Sequence, residues 1–267
     1  MIVADFRFKR NTIINLGEFS RTDNKLKLTL SQNGEVPADK QVDMGVFTIG
    51  DKNYRVIFAT SNLTKDGLAG NEYDFGDYFA WGATEPWCTQ YSRTGTRYDV
   101  QVSLTAWKNT KNATAYDWSN APYYNGTKYA EDGKNLEAAD DAARQILKGD
   151  WQIPTKEIWM ALEYANHDQV YWGPEGKWTF DQRHGINGIS IVRNDGSGKL
   201  LFLPAAGYVF STEFNEVGSI GYYWSGTAKS YERAYRLQCD GSHVTHTDNN
   251  NRHVGVPVRP VRLVAVD

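Results

Sequence analysis

The stretch THTDNNNRHVGVPVRPVRL, Thr245 to Leu263, joins two kinds of sequence. Its first half is polar and reads as a solvated turn, because short Asp and Asn side chains bond their own backbone and tolerate turn geometry. Its second half alternates Val with Arg and Pro, the pattern of a buried terminal strand. A permissive segment set directly against a strict one separates a surface from a core.

Working outward, GYYWSGT and YRLQC read as the strands before it, and GISIVRNDGSGKLLFLPAAG reads as a hairpin around a polar Asp-Gly-Ser-Gly turn. Two helical patterns precede them. In LEAADDAARQILKG, Leu136, Ala139, Ala143, Ile146 and Leu147 share one face, acids fill the first turns, and Lys148-Gly149 supplies a stop. After WQIP, Thr155 serves as N-cap for a helix with a stripe of Ile158, Leu162 and Ala165. Consecutive helices flanked by β segments predict an α+β domain whose last strands pair near the first.

Residues 1–42 differ. DFRFKRNTIINLGEF and KLKLTLSQ are short period-2 segments around SRTDN, an N-terminal β extension with little core of its own. The main domain is expected over 43–267. Within it, Trp87 to Lys134 has little periodicity and reads as a long structured loop.

A net charge of -3 over 267 residues gives no electrostatic footprint for nucleic acid. No apolar run approaches the roughly 20 residues of a spanning helix, so direct membrane insertion is not expected, and MIVADFRFKR lacks the apolar core of a signal peptide. The two cysteines, Cys88 and Cys239, are too few for a disulfide framework, and Cys239 alternates with Leu237 as a buried small hydrophobe would.

Five segments in order, DAARQILKGDWQIPTKEIW, LFLPAAGY, GSIGYYWSGT, AYRLQCDGS and NNNRHVGVPVRPVR, resemble the Fibrobacter succinogenes major paralogous domain. Its relatives with a C-type-lectin-like fold include formylglycine-generating enzymes and the variable proteins of diversity-generating retroelements. The resemblance covers roughly residues 44–267 and implies two helices around twisted antiparallel sheets. It makes Trp151, Pro154, Thr155, Leu203, Pro204, Trp224 and the Val258-Arg259-Pro260-Val261 strand scaffold. It also implies an extracellular or cell-surface location, or carriage on a phage particle. DFRFKRNTIINLGEF further resembles the closing strand of fimbrillin-like adhesin domains.

Three functional classes are then open. An oxidase needs an activated thiol, and neither cysteine has a basic neighbour in sequence. A calcium-dependent lectin needs clustered oxygen ligands. Glu85-Pro86-Trp87 and Trp224-Ser225-Gly226 each lack the second carboxylate or carboxamide of the lectin tripeptides, so no cofactor is expected. A structural Ca2+ ion is compatible with Asp248 to Asn251, which reads more simply as a turn. His243, His246 and His253 complete no known zinc spacing.

A non-enzymatic binding domain remains, with an unknown protein or glycan ligand as partner. In retroelement variable proteins, mutation of AAC codons gives NNC, which never encodes Lys, Glu, Gln, Trp or Met, and none of these occurs from Asp240 through Val258. The expected ligand-binding face is Tyr231, Arg233, Arg236, Ser242, His243, His246, Asp248 and His253, exposed together because strand alternation sends Arg236 away from Leu237. The rival is a constant carbohydrate-binding domain that uses Trp87, Tyr123, Tyr124 and Trp172 as stacking platforms.

Overall fold

The computed structural model describes residues 15–16, 20–22, 25–27, 30–31, 36–86, 91–94, 101–104, 123, 127–165, 178–193, 195–210 and 213–266. Among these, antiparallel sheets dominate and two α-helices accompany them, an α+β arrangement. Strands β1 (Gln41–Ile49) and β2 (Lys52–Ala59) form a hairpin, and the last strand, β11 (Val261–Ala265), pairs with β2 from Val261↔Phe58 to Ala265↔Tyr54. The chain's end therefore closes on its first long strands, as expected from the flanking β pattern. β1 runs through the boundary expected near residue 43, and Val36 is already buried in the core. Upstream, Asn15–Leu16 pairs with Leu30–Ser31 and Ser20–Thr22 with Lys25–Lys27.

Helix α1 (Ala142–Leu147) is half the expected length. The acids read as its first turns are instead committed to tertiary bonds. Asp140 accepts from the hydroxyls of Tyr123 and Tyr129 and from Lys128 Nζ, so the chain before α1 forms only a 3-10 turn, Ala138–Asp140. Asp141 then caps α1 through the Arg144 amide at 3.1 Å while also accepting from the Ile153 amide at 2.9 Å. The stop holds, with Lys148 and Gly149 at φ 63° and 58°. Helix α2 (Lys156–Ala165) starts as expected: Thr155 Oγ1 accepts from the Ile158 amide at 3.4 Å, and Ile158 and Leu162 are buried.

Burial pushes the Asp141 carboxyl up to about 6, against the amides that favour its ionised form. The folded chain thus holds this proton more tightly than the unfolded chain, whose Asp titrates near 3.8. Between about pH 4 and 6, Asp141 contributes less stability as pH rises, and above that window its contribution is flat. The Asp141 carboxyl 13C shift should titrate with a midpoint near 6. A midpoint below about 4 would show that the amide bonds outweigh burial.

The expected hairpin is β4 (Ile186–Val192) with β5 (Leu200–Pro204), joined by β3 (Trp178–Arg183) through His184 and Gly185 at φ 50° and 80°. That two-residue turn has the left-handed geometry of tight hairpins. Gly207, at φ 61°, then reverses the chain into β6 (Tyr208–Phe210) and β7 (Glu213–Asn215); a Cβ there would lie 2.0 Å from the Asn215 carbonyl oxygen.

The last sheet has the order β8-β9-β10, from Gly221–Ala228, Arg233–Cys239 and Val244–Asn251. VTHTDNNN is therefore a strand, correcting the turn expected at Asp248 to Asn251. The tight half, by contrast, becomes regular only at Val261, because Pro257 and Pro260 lack the amide a ladder needs. Val254, Val256 and Val258 are nevertheless buried, and their segment bridges to Phe79 and Val209. The sheet separates two cores. Trp224 joins Trp81, Phe79 and Trp151 on one side, while its neighbour Tyr223 joins Trp159, Phe58 and Leu237 under α2 on the other. No described helix is long and apolar enough to cross a membrane.

Candidate functional site

Paired residues of adjacent strands share a face, so the β8-β9-β10 register lays out what each side presents. Trp224, Arg236 and Asp248 form one row, Tyr222, Gln238 and Thr245 the next, and Ala228, Ala234 and Asn250 a third. Along these rows burial falls from β8 to β10. Trp224 and Tyr222 are buried, whereas Gln238, Thr245, Asp248 and Asn250 are half-exposed. Among the described residues β10 has no further partner strand.

The β6–β7 hairpin frames this face. Tyr208 stacks edge-on against Tyr222 at 5.5 Å, and Phe210, on the same side of β6 as Tyr208, stands 49% exposed. The Arg236 guanidinium lies 3.6 Å above the Tyr222 ring and 5.5 Å from that of Tyr208, and its Nε donates to Asp248 Oδ2 at 2.5 Å. Tyr222 in turn donates its hydroxyl to Glu216 at 2.7 Å. Burial, helped by that carboxylate, pushes the Tyr222 phenol well above its ordinary value, so it remains a donor at neutral pH.

Of the eight residues expected on one exposed face, the structure brings Arg236 and Asp248 into contact and sets the His253 ring 5.8 Å from that of Phe210. The remainder are dispersed. Arg236, His246 and His253 are buried, which corrects the expectation that all eight are exposed. Alternation does send Arg236 away from Leu237, but the second face is covered by the two tyrosines rather than by water.

His246 faces the other way. The register shifts between Arg236 and Gln238, so two β10 residues oppose one of β9, and His246 turns toward α2. There its backbone amide and Nδ1 both meet Glu163 Oε2, at 3.1 and 2.8 Å, beside Tyr164. Ser242 and His243 sit in the β9–β10 turn, where Asp240 accepts from both of their amides and from the serine hydroxyl. Burial opposes the ionisation of Asp240, but these bonds outweigh it and hold the carboxyl below its usual range. Tyr231 and Arg233 lie at the opposite end of β9, about 20 Å from that turn.

Tyr123 is partly buried and held by tertiary bonds. Its hydroxyl is spent on Asp140, its ring meets Tyr129 edge-on, and its carbonyl accepts from the buried Arg252. Trp87, Cys88, Tyr124 and Trp172 lie outside the described residues. Cys239 is buried, its thiol pushed up by burial and directed at the Gly221 carbonyl at 3.5 Å. Among the described residues no three His, Cys, Asp or Glu side chains converge as a metal site.

Sequence reasoning missed Tyr208, Phe210, Glu216, Gln238 and Asn250 as members of this face. The signal for the first two was present, since in GYVF the buried Val209 alternates with both aromatics. Comparison with known proteins finds no family model that matches this chain, and no significant match among curated proteins or solved structures.

Proposed function

We propose that this chain is a non-enzymatic ligand-binding domain of C-type-lectin-like fold, acting at a cell surface or on a phage particle. Its ligand face is the half-exposed β10 end of the side of β8-β9-β10 that carries Tyr222, Arg236 and Asp248, framed by Tyr208 and Phe210. The observation that carries this reading is the gradient along the cross-strand rows, from buried Trp224 and Tyr222 to half-exposed Asp248, Thr245 and Asn250. Thr245 and Asn250 at the wet end can change without touching the core, whereas Asp248 also holds the buried Arg236, so most of the wet end separates folding from recognition. The buried, non-acidic Cys239 supports a non-catalytic role.

Diversification by a retroelement belongs to the same proposal. The half-exposed β10 positions on this face are Thr245, Asp248 and Asn250, residue types that NNC codons supply. A reverse transcriptase beside the coding locus, with a near-copy of the 3′ end differing only at adenines, is the expected finding. Siblings varying uniformly along the whole chain would remove this part of the reading.

The binding test is a screen of the intact protein against immobilised glycans and a displayed peptide library, repeated with Phe210→Ala. Phe210 is half-exposed, so its truncation should move the melting temperature by no more than about 2 °C. Binding should fall by at least about tenfold, as for an aromatic anchor. Hits that bind the variant equally well would place the ligand elsewhere.

A further inference from the structure

We infer that the ligand of this face is a neutral carbohydrate, an inference that rests on the ligand-face reading above. Three features of the cluster select that chemistry together. The first is the Arg236 guanidinium, which Tyr222 stacks at 3.6 Å and Asp248 holds through Nε, so its orientation is set before any ligand arrives. Among the described residues its Nη1 is buried without a hydrogen-bond partner, an unmet donor at the inner edge of the face.

The second feature is the charge balance. One guanidinium faces two carboxylates, Asp248 through the ion pair and Glu216 through the Tyr222 hydroxyl. The cluster thus carries an excess negative charge and repels an anionic ligand, while its carboxylate oxygens welcome hydroxyl donors. Vicinal sugar hydroxyls donate to a carboxylate and accept from a guanidinium at the same time. The half-exposed Gln238 and Asn250 amides offer the same dual capacity.

The third feature is the aromatic edge. Phe210 is exposed at 49% beside the half-buried Tyr208, and an exposed ring next to fixed polar groups suits the apolar C–H face of a pyranose. An acidic peptide would meet the excess negative charge. A purely apolar helix would bury Asp248 and Gln238 without partners, at a cost in affinity.

The experiment uses the whole chain on a printed array of neutral and uronate-containing oligosaccharides, with the best hit followed by saturation-transfer NMR. A neutral oligosaccharide should bind, and its uronate counterpart should bind at least about tenfold more weakly. Phe210→Ala and Asp248→Asn should each weaken the neutral hit by about tenfold or more. Val46→Ala, an exposed change on β1, should leave it unchanged. Absence of any neutral hit, tighter binding of the uronate form, or a hit indifferent to both substitutions overturns the carbohydrate inference. A peptide selected from a displayed library, whose binding is lost in Phe210→Ala, would overturn it too while leaving the ligand face standing. If neither saccharide nor peptide binding responds to Phe210→Ala or Asp248→Asn, the ligand face itself falls.

Discussion

Trp224→Ala should cost about 3–5 kcal/mol and leave much of the chain unfolded at physiological temperature, since a domain's total stability is only about 5–15 kcal/mol. Trp224 is fully buried between Trp81, Phe79, Trp151 and Val256. Its indole nitrogen donates to the Phe79 carbonyl at 2.7 Å, and its backbone amide donates to the Pro257 carbonyl at 3.2 Å. Truncation opens a cavity with rigid walls and removes one of the two hydrogen bonds to the Phe79 carbonyl, which keeps the Val256 amide at 3.0 Å, so the transfer and cavity penalties carry most of the loss. Trp224→Phe should recover most of the loss by filling volume, but not the part owed to the lost indole hydrogen bond. Urea unfolding followed by circular dichroism measures both variants. An unchanged midpoint for Trp224→Ala would show that the β8 side chains do not face the cores assigned to them.

Arg259→Met is expected to cost about 3–5 kcal/mol for a different reason. Arg259 is fully buried with no carboxylate among its hydrogen-bond acceptors. Its Nε donates to Asn62 Oδ1 at 2.8 Å, Nη1 to the carbonyls of Ala59 and Thr60 at 3.2 and 2.5 Å, and Nη2 to the Glu72 carbonyl at 3.5 Å. Burial pulls its pKa down to about 10, which still leaves it charged at neutral pH. The guanidinium replaces water for a loop whose carbonyls turn inward, and methionine fills the volume but offers no donors. Each orphaned acceptor then costs about 1–3 kcal/mol. Arg259→Lys retains the charge but cannot span four acceptors with one ammonium, so it should recover less than half of the stability. A loss below about 1 kcal/mol for Arg259→Met would mean that the loop re-forms its bonds without the fork.

How much of this was legible in sequence depended on the range of the interaction. The Thr155 cap, the Lys148-Gly149 stop and the hairpin ending at Pro204 are local, and each appeared where the pattern placed it. Helix α1 came out short because Asp140 and Asp141 answer to Tyr123, Tyr129 and Ile153 rather than to their own helix. Helical periodicity cannot register a partner that distant in sequence. The polar VTHTDNNN became a strand because β9 offered it a ladder, which a turn-forming composition does not forbid.

By itself, then, the sequence determined which elements form at their locally marked ends, that among the described residues two helices mix with antiparallel strands, and that Trp224, Leu203 and Val261 are core. Alternation along β9 also settled that Arg236 and Leu237 point in opposite directions. Only the tertiary structure decided what each direction meets. Leu237 meets the core under α2, Arg236 meets Tyr222 and Tyr208 instead of water, and the β10 bulge turns His246 onto Glu163. The physical reason is that period 2 assigns a side chain to one of two faces, whereas the layer covering that face comes from residues far away in the chain.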